Sequence, residues 1–164
     1  MKKNINKLVL AAMLASLTCV ATLVIKLPSP LNGYLNLGDC VVLLSGWLLS
    51  PPLGFAAAGI GSCLADLFLG YPLYMPATFI IKGLMAVIAH LVFKTLKVGT
   101  GARIISGLCA EAAMVIGYYV FEGFIYGFLP SAVNIPANAV QGAAGIVIGT
   151  LLIKLFEKSR FIKF

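Results

Sequence analysis

The residues of this sequence that are most able to take part in binding or catalysis are charged side chains inside apolar segments. Asp66 lies near the end of the apolar stretch 52–70, and Lys82 lies near the start of the stretch 76–96. An ionisable group within such a segment is costly to bury and is therefore a candidate functional residue. Because the two residues fall at similar depth on consecutive segments, we expect an ion pair between them. The pair could be purely structural, or it could contact a ligand directly.

Two further sets of polar residues recur at helical spacing. The sets are Glu111, Tyr118 and Glu122, and Asn134, Asn138 and Gln141. Spacings of seven and four, and of four and three, place each set on one helix face. Amide groups that face lipid would leave donors and acceptors unpaired, so we expect these side chains to face inward. There they could bind a solute or join helices through hydrogen bonds.

The segment 27–37 combines glycines, prolines, Tyr34 and Asn36, which suits a partly ordered outer lid loop. Tyr34 and Asn36 are its candidate ligand contacts, whereas Asp39 is expected to cap the helix that follows. Together, this loop and the inward-facing side chains of the helices are expected to form an outward-facing pocket of amides, tyrosine, carboxylates and one lysine. Such a mixture suits a small, neutral, aromatic or heterocyclic solute.

The composition requires these residues to be positioned by membrane helices. Of 164 residues, 61% are hydrophobic and only 10% are charged, whereas a soluble domain carries about 25% charged residues. A soluble globule and a disordered chain are both excluded. The net charge of +7 is concentrated at the two termini and in one central loop, which indicates membrane topology and no nucleic-acid partner.

The hydropathy pattern predicts a single all-α integral membrane domain over residues 1–164, with six transmembrane helices. The approximate spans are 6–26, 38–50, 52–70, 76–96, 102–128 and 134–156. The second span is short and is separated from the third by Ser50-Pro51-Pro52, because proline disfavours helix in the residue before it. Six spans with cytoplasmic N- and C-termini place only Lys26 in the outer loops, in agreement with the positive-inside rule.

The sequence lacks the motifs of the common catalytic sites. No phosphate-binding loop, nucleophile elbow or zinc-ligand spacing is present, so we expect no catalytic residue, no metal and no cofactor. Small residues form a second kind of pattern, because Ala11 and Ala15 lie on one face of the first helix. This face could pack against another helix of the same chain or dock another subunit.

Three runs carry a resemblance to a known family: Gly33–Asp39, Gly59–Asp66 and Pro76–Gly83. They resemble the substrate-binding (S) components of energy-coupling factor (ECF) vitamin transporters, in the riboflavin-transporter-like branch that includes pyridoxine and hydroxymethylpyrimidine carriers. The resemblance implies capture of a vitamin from outside and ATP-driven uptake with a transmembrane coupling (T) component and two cytoplasmic ATPases. It also implies that Ala11 and Ala15 contact the coupling component.

The expected substrate is a pyridoxine-type vitamin, followed by hydroxymethylpyrimidine and then riboflavin. The expected substrate-binding residues are Tyr34, Asn36, Asp66, Lys82, Tyr118, Glu122, Asn138 and Gln141. The alternative is a stand-alone oligomeric channel or carrier for a small solute, assembled through the small-residue faces. Both interpretations place the chain in the cell membrane as a multi-pass protein.

Overall fold

The computed structural model describes residues 2–28, 34–96 and 99–158, and these residues form a helical bundle. The helices are α1 (Lys2–Val24), α2 (Gly38–Leu48), α3 (Pro51–Leu69), α4 (Met75–Thr95), α5 (Thr100–Tyr126), the single turn α6 (Phe128–Ser131) and α7 (Ile135–Lys158). Within the described residues, five helices are long and apolar enough to cross a membrane, and α2 is a shorter apolar helix. The six predicted segments are therefore all present as helices.

The helix boundaries follow from proline and glycine. Ser50 is extended, and Pro51 begins α3 at a position where its missing N–H breaks no helical hydrogen bond. At the other end, Gly70 adopts a positive φ of 80°, and the Tyr71 N–H donates to the Asp66 carbonyl at 2.8 Å. This left-handed cap ends α3 and allows the chain to turn directly into α4.

The segment that leads from α1 to α2 contains two short strands that the sequence did not predict. β1 (Lys26–Pro28) pairs antiparallel with β2 (Tyr34–Asn36), with Leu27 opposite Leu35. Residues 29–33 of the predicted lid loop lie outside the described residues. We call the end of the bundle that carries this hairpin the hairpin end. The α3–α4 and α5–α7 connections lie at the same end.

α2 forms the centre of the bundle, because ten of its eleven residues are buried. It packs against α1, α3, α4 and α7. Gly46 makes the contact with α4 possible, since a Cβ atom at this position would lie 2.6 Å from the Ala86 carbonyl oxygen. The helix begins with Gly38 and Asp39, so its tight packing fixes a carboxylate among the surrounding helices at the hairpin end.

α1 packs against α3 through small residues. A Cβ atom at Gly61 would lie 2.3 Å from the Ala15 carbonyl oxygen, so the two backbones are in close contact. Ala11 is buried in the core, and Ala15 packs against it while half-buried. The exposed face of α1 instead presents Ala12 and Ser16.

Candidate substrate-binding site

A polar cavity of about 40 Å³ lies at the hairpin end of the bundle. Its walls come from α1, β2, α3, α4, α5, α7 and the connection between α3 and α4. The lining residues are Thr22, Tyr34, Asn36, Ser62, Asp66, Tyr71, Tyr74, Thr78, Lys82, Tyr118, Glu122, Asn138 and Gln141. All eight side chains predicted to bind substrate are among them. The structure therefore brings these eight residues, which come from β2, α3, α4, α5 and α7, to one place.

Lys82 forms its ion pair with Asp39, and the predicted pair with Asp66 is wrong. The Lys82 ammonium donates to Asp39 Oδ1, and both side chains are buried. The expected capping role of Asp39 is also wrong, because Leu37 occupies the N-cap without a side-chain cap bond and Asp39 lies inside the first turn of α2. The packing of α2 against α4 directs this carboxylate to Lys82, which the order of the apolar segments does not reveal.

Gln141 connects this ion pair to the hairpin. Its Nε2 donates to Asp39 Oδ2 at 2.6 Å, and its Oε1 accepts from the Asn36 backbone N–H at 2.9 Å. The chain of bonds Asn36–Gln141–Asp39–Lys82, which we call the Gln141 relay, joins β2, α7, α2 and α4. Because both ends of the Gln141 amide are used, its orientation is defined by its partners.

Asp66 is bound to the hairpin through a different residue. The Tyr34 hydroxyl donates to Asp66 Oδ1 at 2.6 Å, and the Tyr34 ring packs against Tyr71 with centroids 5.1 Å apart. Burial and the neighbouring Asp66 carboxylate raise the pKa of the Tyr34 hydroxyl, so it remains a protonated donor at neutral pH. Within the described residues, Asp66 Oδ2 has no hydrogen-bond partner although it is buried.

Glu122 is held by the segment that leads into α7. Asn134 Nδ2 lies 3.0 Å from Glu122 Oε1 and 2.9 Å from Oε2, and the Tyr74 hydroxyl lies 3.4 Å from Oε1. Asn134 was predicted to share one face with Asn138 and Gln141. It lies instead in the 3-10 turn before α7 and does not line the cavity.

Tyr118 contributes an aromatic wall beside the buried cation. The Lys82 ammonium lies 5.5 Å from the centre of its ring, which is within the range of a cation–π interaction. Its hydroxyl and that of Thr78 lie 3.0 Å apart. The cavity therefore offers aromatic surface and hydroxyl groups together, a combination that suits a flat polar ring.

Glu111 lies outside the cavity, although its spacing from Tyr118 and Glu122 predicted one shared face. It is buried against Gly142 and Gly145 of α7, where a Cβ atom on either glycine would lie 3.0 Å from a carboxyl oxygen. Within the described part of the chain, neither carboxyl oxygen of Glu111 has a hydrogen-bond partner.

Several lining residues were not predicted, although the spacing of some of them in the sequence could have identified them. Ser62 precedes Asp66 by four residues and Thr78 precedes Lys82 by four, so helical spacing could have placed them on the cavity faces. Tyr71 and Tyr74 lie in the α3–α4 connection, where no periodicity applies. Asp39, which pairs with Lys82 but does not itself line the cavity, had no such signal, because a carboxylate at a helix start is usually explained by capping.

The apolar helices and the partly open polar cavity between them define the chain as a multi-pass membrane protein with a site for a small solute. The sequence profile of the ECF-type riboflavin transporter S component matches residues 2–158, and the chain belongs to this family. It is therefore a transport component of the cell membrane and not an enzyme. S components of this kind bind vitamin substrates and work with a T component and ATPases.

Two relatives are similar to this chain over most of its length. The thiamine precursor transporter HmpT of Lactococcus lactis subsp. cremoris (strain MG1363) is 28% identical over 159 residues, covering 96% of this chain and 91% of the relative. A protein of Pyrococcus woesei, described as an uncharacterized protein in a gap 3′ region, is 34% identical over 131 residues, or 79% of this chain and 87% of the relative.

Two solved structures share the fold. The S component of a bacterial ECF transporter superimposes with a TM-score of 0.74 at 23% identity, over 98% of this chain and 99% of that one. The S component for biotin from an ECF-type ABC transporter gives a TM-score of 0.62 at 18% identity, over 93% of each chain. The six-helix membrane architecture predicted from the sequence is confirmed.

Proposed function

We propose that this chain captures a single-ring vitamin, of the pyridoxine type or a hydroxymethylpyrimidine, from outside the cell. The observation that carries the proposal is the convergence of eight predicted polar residues on one partly open cavity. A cavity of about 40 Å³ demands the least rearrangement from the smallest candidates, so riboflavin ranks behind the single-ring compounds. The similarity to a thiamine precursor transporter supports a hydroxymethylpyrimidine as the substrate. The sequence resemblance supports a pyridoxine-type vitamin equally well.

The charges of the cavity support an unphosphorylated substrate. Lys82 is the one cation that lines it in the described structure, and its charge is balanced by Asp39. Asp66 and Glu122 add carboxylates to the wall. A phosphate ester would meet these carboxylates without a free cation to pair with, so we propose that the phosphorylated vitamins are excluded.

The membrane orientation is part of the proposal. Lys7, Lys94, Arg103 and Lys154 lie toward the end of the bundle opposite the hairpin, while Lys26 begins the hairpin. The excess of positive charge at the first end favours the cytoplasm for both termini. The cavity then opens toward the outside, where a vitamin is captured.

The test is a titration of the purified chain in detergent with five compounds. They are pyridoxine, 4-amino-5-hydroxymethyl-2-methylpyrimidine, the phosphate ester of each of these two, and riboflavin. We expect binding of a single-ring vitamin at one site per chain, with affinity at least about 100-fold above that of its phosphate, a difference of about 2.7 kcal/mol. Binding of riboflavin alone would reverse the ranking. A chain that binds none of the five would overturn the proposed function.

We further propose that α1 provides the contact with the T component, through its exposed face. Ala15 is half-buried and Ala11 is buried, whereas Ser16 is exposed and, within the described residues, bonds back to the Ala12 carbonyl at 3.0 Å. Tryptophan at position 16 is therefore expected to block assembly with the T component and the ATPases while vitamin affinity stays within about two-fold, because surface changes alter stability little.

The measurement is co-purification of the three partners together with ligand titration of the isolated chain. Ile116→Trp introduces the same side chain at an exposed position on α5, away from α1, and serves as the control that should leave assembly intact. Intact assembly of Ser16→Trp would remove this face from the interface. Vitamin transport by the isolated chain in liposomes would instead support the stand-alone channel or carrier.

A further inference from the structure

We infer that the substrate carries a ring amino or hydroxyl group that donates a hydrogen bond to Asp66 Oδ2. The inference rests on the proposed function, because it names the group that the cavity recognises. It is carried by the bonding state of the charged side chains that line the cavity.

Among the described residues, three charged groups face this cavity, and two of them already have their partners. Lys82 is bound to Asp39, and both oxygens of Glu122 are within 3.0 Å of Asn134 Nδ2. Asp66 differs from both. Its Oδ1 accepts from Tyr34 at 2.6 Å, while its Oδ2 has no partner within the described residues. The Thr78 hydroxyl also lies near this carboxylate, but its hydrogen bond is with the Tyr118 hydroxyl, 3.0 Å away, so Oδ2 keeps its place for a donor from the ligand.

An unpartnered carboxylate oxygen is unusual at this depth, since Asp66 is only 3% exposed. A buried acceptor without a hydrogen bond destabilises the protein, and bonds to charged groups are among the stronger ones. A ligand that supplies the missing donor removes this penalty, whereas a ligand with only acceptors retains it. The open oxygen therefore selects for substrates that place a donor at this point.

The same carboxylate also joins the substrate to the hairpin. Asp66 Oδ1 accepts from Tyr34 of β2. If the substrate donates to Oδ2, the hairpin and the substrate are bound to the two oxygens of the same carboxylate. This arrangement makes a prediction about the amide variant. In Asp66→Asn the Tyr34 hydroxyl keeps an acceptor only when the amide oxygen faces it, and in that orientation the amide NH₂ meets the substrate donor.

The experiment compares ring compounds that differ in one donor. The probes are 4-amino-5-hydroxymethyl-2-methylpyrimidine with its analogue lacking the amino group, and pyridoxine with its 3-deoxy analogue. For the natural chain we expect the donor-bearing member of at least one pair to bind about 10- to 100-fold more tightly, as expected for one bond to a charged group. In Asp66→Asn this preference is expected to fall below about three-fold, a residual of under 0.7 kcal/mol.

Two further variants separate a direct bond from a general charge effect. Glu122→Gln also removes one negative charge from the cavity wall, but Glu122 has no oxygen without a partner. The preference for the donor-bearing compound is therefore expected to persist in this variant. Tyr34→Phe combined with Asp66→Asn frees the amide to turn its oxygen toward the ligand, so part of the preference should return. Each readout is a ratio of two ligands on one variant, and partial loss of folded protein does not imitate it.

The outcomes are distinct. Equal binding of the members of both pairs to the natural chain would overturn the inference while leaving the proposed function intact. An unchanged preference in Asp66→Asn, or an equal loss in Glu122→Gln, would also overturn it. Failure of the natural chain to bind any of the four compounds would overturn the proposed function itself.

Discussion

Replacing Lys82 with alanine is expected to lower the free energy of unfolding by about 3–5 kcal/mol, the cost of leaving one member of a buried ion pair without its partner. The stranded group is Asp39, whose side chain is fully buried and whose Oδ1 accepts from the Lys82 ammonium. Gln141 continues to donate to Oδ2, but an amide does not balance a full charge. Thermal or denaturant unfolding of the purified chain in detergent measures the change.

Second-site variants identify the stranded carboxylate. Asp39→Asn removes the charge that Lys82→Ala leaves behind and retains an acceptor for Gln141, so the double variant should recover more than half of the lost stability. Asp66→Asn in the Lys82→Ala background should recover little, because Asp66 pairs with Tyr34 instead. The reverse pattern of rescue would contradict the Lys82–Asp39 pair.

Replacing Gln141 with leucine is expected to weaken vitamin binding about 10- to 100-fold, because three hydrogen bonds are lost, two from Asn36 and one to the Asp39 carboxylate. Leucine fills a similar volume but neither accepts from the Asn36 N–H nor donates to Asp39. The hairpin then loses its bond to α7, and the loss should appear mainly as faster dissociation of the bound vitamin. Displacement of a bound vitamin by excess competitor, followed in time, measures this rate.

Gln141→Glu provides the matched comparison. It retains an acceptor for Asn36, so dissociation should stay within about three-fold of the natural rate. It also places a second carboxylate beside Asp39, and the free energy of unfolding should fall. Equal acceleration of dissociation by both variants would show that the bond to Asp39, and not the bond to the hairpin, controls release.

The helices could be predicted because hydropathy and proline act locally. Pro51 and Pro52 divide α2 from α3 in the sequence, and the structure has the same boundary. The partner of Lys82 could not be predicted in this way. Helical spacing gives the face and depth of a side chain, but the contact between α2 and α4 depends on packing between helices, in which Gly46 permits the close approach.

In the candidate site, too, features set by neighbouring residues could be predicted, whereas contacts between segments far apart in the sequence could not. Asp66, Tyr118 and Gln141 were placed on the cavity because polar residues on apolar helices must face inward. The strands β1 and β2 were missed, since each has only three residues and their pairing depends on the bundle beneath them. The Gln141 relay was likewise invisible, because Asn36 and Gln141 are separated by 105 residues.

The short central helix α2 has a consequence for how the protein is made. Its eleven residues extend about 16 Å, roughly half the thickness of the hydrocarbon core. Such a segment is poorly anchored as it leaves the ribosome, so stable insertion must wait for helices translated later. α4 supplies Ala86 to Gly46, and α7 supplies Gly149, where a Cβ atom would lie 3.2 Å from the Cys40 carbonyl oxygen. The bundle is therefore completed only when its last helix enters the bilayer, and chains truncated before α7 should be substrates for membrane proteases.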